Sequence, residues 1–294
     1  MELITPQGTN ILLRDLVLDR TGIHFDDEKT DLLLEKLAPL VIEHGFHSFL
    51  DYYYLLKYDE NADDEWRQLS DAIAVQETFF WREMDQIHAL VDILVPAWAA
   101  EHRREPLRIW SAACATGEEP LSIAMALTES GWFDRIPIEI MATDASGAGL
   151  NKVAEGLFRE RAFRNLPVDL RHKYFQKEGN VWRIDPKLKS RVRWKVANLV
   201  NRTEIAEFAA SPFIFCRNVF IYFSSEMIRR VVKTFADHIK CPAYLFVGVS
   251  ESLLKVSSDF ELINVGNAFV YKRITANEVL PQNKVNLATL KAHE

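Results

Sequence analysis

The sequence predicts an α/β fold, a mostly parallel sheet with a small antiparallel element inserted into it, preceded by a small all-α domain. Three observations predict it: a break in charge along the chain, a helical hydrophobic period before the break, and short apolar runs alternating with helical segments after it. From Met1 to Asp85 there are 7 Lys and Arg against 19 Asp and Glu, whereas the rest of the 294 residues carries a surplus of 5 positive charges. Two compositionally different regions therefore share the chain.

In the first region Leu32, Leu33, Leu37, Leu40 and Val41 recur at helical steps, and Phe46, Phe49, Leu50, Tyr53 and Tyr54 resume the pattern after Gly45. This predicts a helical domain over 1–85. Ile87, Leu90, Val91 and Leu94 continue as a linker helix within 86–105. From residue 106 the apolar runs are short: Leu107 to Trp110, Ile138 to Ala142, Val192 to Val196, Phe213 to Cys216, Tyr244 to Val249 and Ala268 to Tyr271. Leu121 to Thr128 and Glu226 to His238 read as helices between them. Strands alternating with helices make a mostly parallel sheet, because each crossover brings the chain back through a helix. Only Leu253 to Gly266 separates the last two runs, which suits an antiparallel hairpin at one edge. The stretch 159–195 holds 12 basic and 4 acidic residues, with Gly179-Asn180 between Tyr174-Phe175 and Val181-Trp182, and reads as the inserted antiparallel element. The sheet region is expected to span 106–275, with a tail over 276–294.

With 48% hydrophobic and 26% charged residues the composition is that of an ordinary globular protein. The most apolar stretch, Ala89 to Ala100, is interrupted by Asp92 and Pro96 and falls short of the ~20 residues that span a bilayer. The acidic start lacks the positive charge of a signal peptide. Cys114, Cys216 and Cys241 are odd in number and lack metal-ligand spacing, so neither a disulfide framework nor a metal site is expected, and Cys114 and Cys216 read as small buried hydrophobes. A cytoplasmic protein with reduced thiols is expected. The basic, aromatic segment admits nucleic acid, a solvated face or docking to an acidic protein; the acidic whole, net −7, disfavours nucleic acid.

In an open parallel sheet, ligands bind beyond the carboxyl ends of the strands. After the first run comes Ser111-Ala112-Ala113-Cys114-Ala115-Thr116-Gly117-Glu118-Glu119-Pro120. A dinucleotide site would need three glycines and a helix N-terminus free for pyrophosphate. Here one glycine precedes two carboxylates, which repel phosphate and suit an ammonium or sulfonium; the bland alternative is that they complement the helix dipole. Asp144, after the second run, is placed to accept from both hydroxyls of a ribose, or else merely to start a turn. Ammonium and ribose acceptors together describe S-adenosylmethionine, a nucleoside with a zwitterionic arm and no phosphate. Asn198-Leu199 would then address the adenine edge and face, and Arg217-Asn218 stands at the centre of the ligand edge, where a buried Arg needs a partner.

The chain resembles the CheR-type protein-glutamate O-methyltransferases of bacterial chemotaxis. The resemblance rests on 108–125, Arg-Ile-Trp-Ser-Ala-Ala-Cys-Ala-Thr-Gly-Glu-Glu-Pro-Leu-Ser-Ile-Ala-Met, on Phe215-Cys-Arg-Asn-Val-Phe-Ile-Tyr-Phe223, and on Glu77-Thr-Phe-Phe-Trp-Arg-Glu83; it covers residues 15 to 273. It implies a Rossmann-like methyltransferase sheet, S-adenosylmethionine as cofactor with S-adenosylhomocysteine as product, and chemoreceptor cytoplasmic helical bundles as substrate, by a monomeric enzyme. It also implies that Thr78 and Arg82 lie over the cofactor and the reacting carboxylate, that Glu118 or Glu119 takes the ammonium and Asp144 the ribose, that Asn198, Leu199, Arg217 and Asn218 complete the pocket, and that Tyr222 is near the substrate. Three features depart from the family. Gln76 stands where Asn is usual. The hairpin 176–180 is short where pentapeptide-tethering relatives have a longer loop, so tethering is not expected. The segment Asp31 to His44 offers only Lys36 against Asp31, Glu35 and Glu43, where relatives are basic. A glutamate has a pKa near 4.3 and is already anionic at pH 7, so the implied chemistry needs alignment and no general base, with Arg82 as the group that orients the carboxylate. The rival readings are a non-catalytic S-adenosylmethionine-binding adapter or sensor, and a small-molecule or nucleic-acid methyltransferase. Arg217-Asn218-Val219-Phe220 lacks the Asn/Asp-Pro-Pro-Tyr/Phe strand end of the nucleobase enzymes.

Overall fold

A computed structural model describes residues 3–102 and 105–274; the expected tail over 276–294 lies outside the described residues. Four helices form the N-terminal part: α1 (Thr9–Thr21), α2 (Thr30–Glu43), α3 (Phe49–Tyr58) and α4 (Ala62–Ile73). Ser48 starts α3 by accepting from the Leu50 N–H, and the acidic first turn of α4 complements its dipole. Leu13, Val17, Leu33, Leu37, Val41, Leu69 and Ile73 bury a shared core at four-residue steps; of the apolar residues read from sequence Leu33, Leu37, Val41, Phe49 and Tyr53 are in it, whereas Leu32 and Tyr54 are exposed. Two short helices, α5 (Met84–His88) and α6 (Val95–Glu101), continue through a π-helical turn (Ala89–Leu94) and pack on the sheet through Leu90, Val91 and Leu94.

The sheet region runs β1 (Leu107–Ala112), α7 (Glu118–Glu129), β2 (Ile138–Asp144), α8 (Gly147–Glu155), β3 (Leu157–Arg159), α9 (Val168–Tyr174), β4 (Phe175–Glu178), β5 (Val181–Ile184), α10 (Pro186–Lys189), β6 (Val192–Val196), α11 (Arg202–Ala209), β7 (Phe213–Phe215), α12 (Ser225–His238), β8 (Tyr244–Phe246), β9 (Phe260–Val265) and β10 (Ala268–Arg273). Seven strands join in the order β6-β2-β1-β7-β8-β10-β9; the first five are parallel and the last two antiparallel. Side chains alternate between faces, with Ile109, Ile140, Phe213 and Phe215 on one side and Trp110, Met141 and Ile214 on the other, and helices cover both. A separate three-stranded sheet, β3-β5-β4, spans Leu157 to Ile184 and turns at Gly179-Asn180, while the basic strand Val192–Val196 is the edge of the large sheet.

One expectation is corrected. The antiparallel edge is there, but its outermost strand, β9, lies inside the segment read as a connector. Ser146 caps the helix α8 by accepting from the Gly149 N–H. Among the described residues no helix is long and apolar enough to cross a membrane.

Candidate active site

The carboxyl ends of β1, β2, β6 and β7 open into one cleft, closed from above by 73–78 and by Thr21 and Ile23 at the end of α1. Gln76, Thr78, Arg82, Glu119, Asp144, Asn198, Leu199, Arg217, Asn218 and Tyr222 all line it. Glu118 does not: it is buried outside the cleft, accepting from Thr116 Oγ1 at 2.7 Å.

The loop after β1 wraps tightly around the end of β2. Ala113 and Ala115 have φ of 58° and 50°, and Gly117, at φ 89°, sits where a Cβ would fall 2.8 Å from Val153 and 3.0 Å from Trp194, so only glycine fits there. This conformation aims the Ala115 N–H at Asp144 Oδ2 (2.8 Å), while Oδ1 accepts from the Ser146 N–H (2.8 Å). Burial pushes the Asp144 carboxyl above its ordinary value against those two bonds. Trp81, Glu83 and Asn218 are the other non-glycine residues with positive φ among those described, and all flank or line the same cleft.

At the other end Glu119 Oε1 accepts from Ser111 Oγ at 2.6 Å and Oε2 lies 3.5 Å from Arg217 Nε. Burial raises the Glu119 carboxyl, and the Arg217 guanidinium opposes the rise. Arg217 has its side chain only 1% exposed; its Nη2 donates to the Arg82 carbonyl (2.8 Å) and to Glu83 Oε2 (3.1 Å). Its Nε and Nη1 have no hydrogen-bond partner, which leaves buried donors beside a carboxylate at the floor of the cleft. Orphaned guanidinium donors, an adjacent carboxylate and a strand-end Asp fit the carboxylate, ammonium and ribose of S-adenosylmethionine.

Arg82 is 27% exposed, with Nη1 donating to the Glu77 carbonyl at 3.2 Å and Nε 3.7 Å from Glu83. Tyr222 ends a 3-10 turn (Phe220–Tyr222), and its carbonyl accepts from the His24 N–H at 2.7 Å, beside an isolated bridge between Ile23 and Phe223. Asn198 Nδ2 donates to the Arg20 carbonyl (2.7 Å), and Gln76 joins Ser146 (3.2 Å) and Lys152 (2.5 Å). The helical domain is thus hydrogen-bonded to both rims.

Two acidic residues with a place in this site were not read from sequence as site residues. Glu83 stands between Arg82, Arg217 and Asn218 Nδ2, the last at 3.4 Å. Glu251 accepts from the Asn218 N–H (2.8 Å), the Gly248 N–H (2.6 Å) and the Ile221 N–H (3.3 Å), which fixes the loop carrying Asn218 and Tyr222. Glu83 had one signal, its place in the Glu77–Glu83 motif; Glu251 had none, since the site residues it holds, Asn218 and Ile221, lie 33 and 30 residues earlier.

A parallel sheet with a cleft-lining Asp after its second strand, and a cleft-lining carboxylate instead of a glycine-rich phosphate turn after its first, has the make-up of an S-adenosylmethionine-dependent methyltransferase. The chain belongs to the CheR methyltransferase family: residues 76–269 match the CheR methyltransferase SAM binding domain and 11–74 the CheR methyltransferase all-alpha domain. Chemotaxis protein methyltransferase 2 of Vibrio cholerae is 34% identical over 253 residues, covering 85% of this chain and 87% of that protein. The chemotaxis protein methyltransferase of Borreliella burgdorferi is 32% identical, covering 81% and 86%, and that of Listeria monocytogenes 30%, covering 90% and 95%. The fold class and the cofactor read from sequence hold.

Proposed function

We propose that the protein transfers a methyl group from S-adenosylmethionine to glutamate carboxylates of chemoreceptor cytoplasmic domains, forming methyl esters. The observation that carries the reading is the partly exposed Arg82 guanidinium in the lining of the cleft, with Tyr222 in the same lining, where it can orient an incoming carboxylate. A glutamate carboxylate is already ionised at pH 7, so orientation is what the transfer requires. Bound S-adenosylmethionine supplies the electrophilic methyl on a sulfonium. Glu119 and the free donors of Arg217 grip its two charged groups, Asp144 and Asn198 grip its nucleoside, and Arg82 presents the incoming carboxylate without neutralising it completely, because Glu83 already shares its charge.

The same reading takes the receptor's helical bundle as partner of a monomeric cytoplasmic enzyme, with 1–85 as helical domain, 86–105 as linker and 106–275 as catalytic domain. The two-residue turn Gly179-Asn180 of the small sheet supports a substrate held without a pentapeptide tether. Incubation with methyl-labelled cofactor and receptor cytoplasmic fragments tests it: base-labile label released as methanol is expected. Base-stable label, or none, overturns it in favour of nitrogen methylation or of a non-catalytic cofactor-binding adapter.

A further inference from the structure

One acidic side chain of the helical domain reaches into the turn that carries Asp144, and nothing in the chemistry above uses it. Asp71 stands near the end of α4, half-buried, and its Oδ1 accepts from Ser146 Oγ at 2.7 Å and from the Ala148 N–H at 3.0 Å. Ser146 is 1% exposed and its hydroxyl is fully engaged: it donates to Asp71 and accepts from the Gly149 N–H (3.0 Å) and from Gln76 Nε2 (3.2 Å). The Ala148 N–H is one of the donors at the start of α8 that no carbonyl of the helix can satisfy. Asp71, 75 positions before Ser146, thus shares the capping of α8 with Ser146 itself. The Ser146 N–H points to the other carboxylate, donating to Asp144 Oδ1 at 2.8 Å. Ser146 is clamped between two acids, one from each domain.

We propose that Asp71 is a positioning residue for cofactor binding: acting through Ser146, it holds the Asp144 carboxylate in the orientation that receives the ribose. The proposal rests on Asp144 as the ribose acceptor, part of the reading above. Asp144 has two backbone anchors of different origin. The Ala115 N–H is set by the left-handed loop after β1, within the sheet region, whereas the Ser146 N–H is set by the contact with Asp71. Without Asp71 the Ser146 hydroxyl and the Ala148 N–H lose their acceptor, the first turn of α8 is free to fray, and the anchor on Oδ1 moves with it. A ligand must then restore that geometry at the expense of its own affinity.

Calorimetric titration of the full chain with S-adenosylhomocysteine tests it. D71A should bind about 5- to 20-fold more weakly than wild type, the scale of one charge-assisted hydrogen bond. D71N, which keeps an acceptor oxygen toward Ser146, should stay within about threefold. In a D144A background D71A should change affinity less than about twofold, because its effect passes through the carboxylate already lost. D71S, whose hydroxyl stops short of Ser146, repeats the comparison where D71A does not fold. A mere tie between the domains would lower the melting temperature of D71A and leave affinity within about twofold of wild type. That result overturns the positioning role, as does a D71A loss of equal size with and without Asp144. If D144A alone binds as wild type does, the ribose reading fails and the role of Asp71 fails with it.

Discussion

Replacing Asp144 tests the proposed ribose site, because the carboxylate that holds the loop is also the one proposed to hold the ribose. A carboxylate has about four acceptor positions. Two are taken by the N–H groups of Ala115 and Ser146, each at 2.8 Å, which leaves two, the number of hydroxyls on a ribose. Asp144→Asn keeps one oxygen and turns the other position into a donor facing a backbone N–H. One loop bond is lost, at about 1–3 kcal/mol for a half-buried donor left unpaired, and one bond to the ribose, worth about 1.5–3 kcal/mol. The expected outcome is a binding loss of about 10- to 100-fold for S-adenosylhomocysteine by calorimetry, with a lower melting temperature. Asp144→Ala loses both sets and should bind at least about 100-fold more weakly than wild type. The reasoning fails if Asp144→Ala binds within about twofold of wild type, since no ribose acceptor can then reside there.

Arg82→Ala should lower kcat about 100-fold or more while S-adenosylhomocysteine affinity falls less than about tenfold, because the loss is in presenting the acceptor; unchanged turnover in a radiolabel assay removes Arg82 from the chemistry. Burial holds Glu119 and Asp144 above their ordinary values, so they take up protons at higher pH than exposed carboxylates. A cationic ligand selects the ionised forms, so affinity should be full above those raised values, fall as pH falls through them, and release protons on binding in that window; a flat profile down to about pH 4.3, the ordinary glutamate value, contradicts it. Gly22→Ala should destabilise the protein by about 1–3 kcal/mol in denaturant titrations, because φ is 79° and the added Cβ would lie 2.8 Å from Val200. A loss below about 0.5 kcal/mol would mean the junction of α1 with the sheet region yields easily.

The central strands were legible because parallel strands buried on both faces are mostly apolar runs, as in Phe213 to Cys216, with Leu107 to Trp110 and Ile138 to Ala142 each broken by one charged residue only. The outermost strand β9, Phe-Glu-Leu-Ile-Asn-Val, mixes polar and apolar residues because it pairs on one side only, and it read as a connector. Residue types at the strand ends indicated the ligand edge, since ligands of such sheets sit there. Which of Glu118 and Glu119 faces the cleft was not legible: neighbours on a helix point about 100° apart, and only the packing of α7 on the sheet selects one. Glu83 and Glu251 escaped for another reason. Their work is to hold other site residues, and the pairing Glu83–Arg217 spans 134 positions of chain.

The lining of the cleft is taut before anything enters it. Left-handed backbone at Ala113, Ala115 and Asn218 costs free energy that packing elsewhere must offset, and it keeps the loop N–H groups and the acidic acceptors in register. A guest therefore meets a mould already set, and little of its attraction is consumed in shaping the host. Relaxing the mould has a penalty of its own: glycine at Ala113 or Ala115 would relieve the tension but enlarge the freedom of the unfolded chain. Firmness here is a property the sequence keeps by using alanine where glycine would be more comfortable.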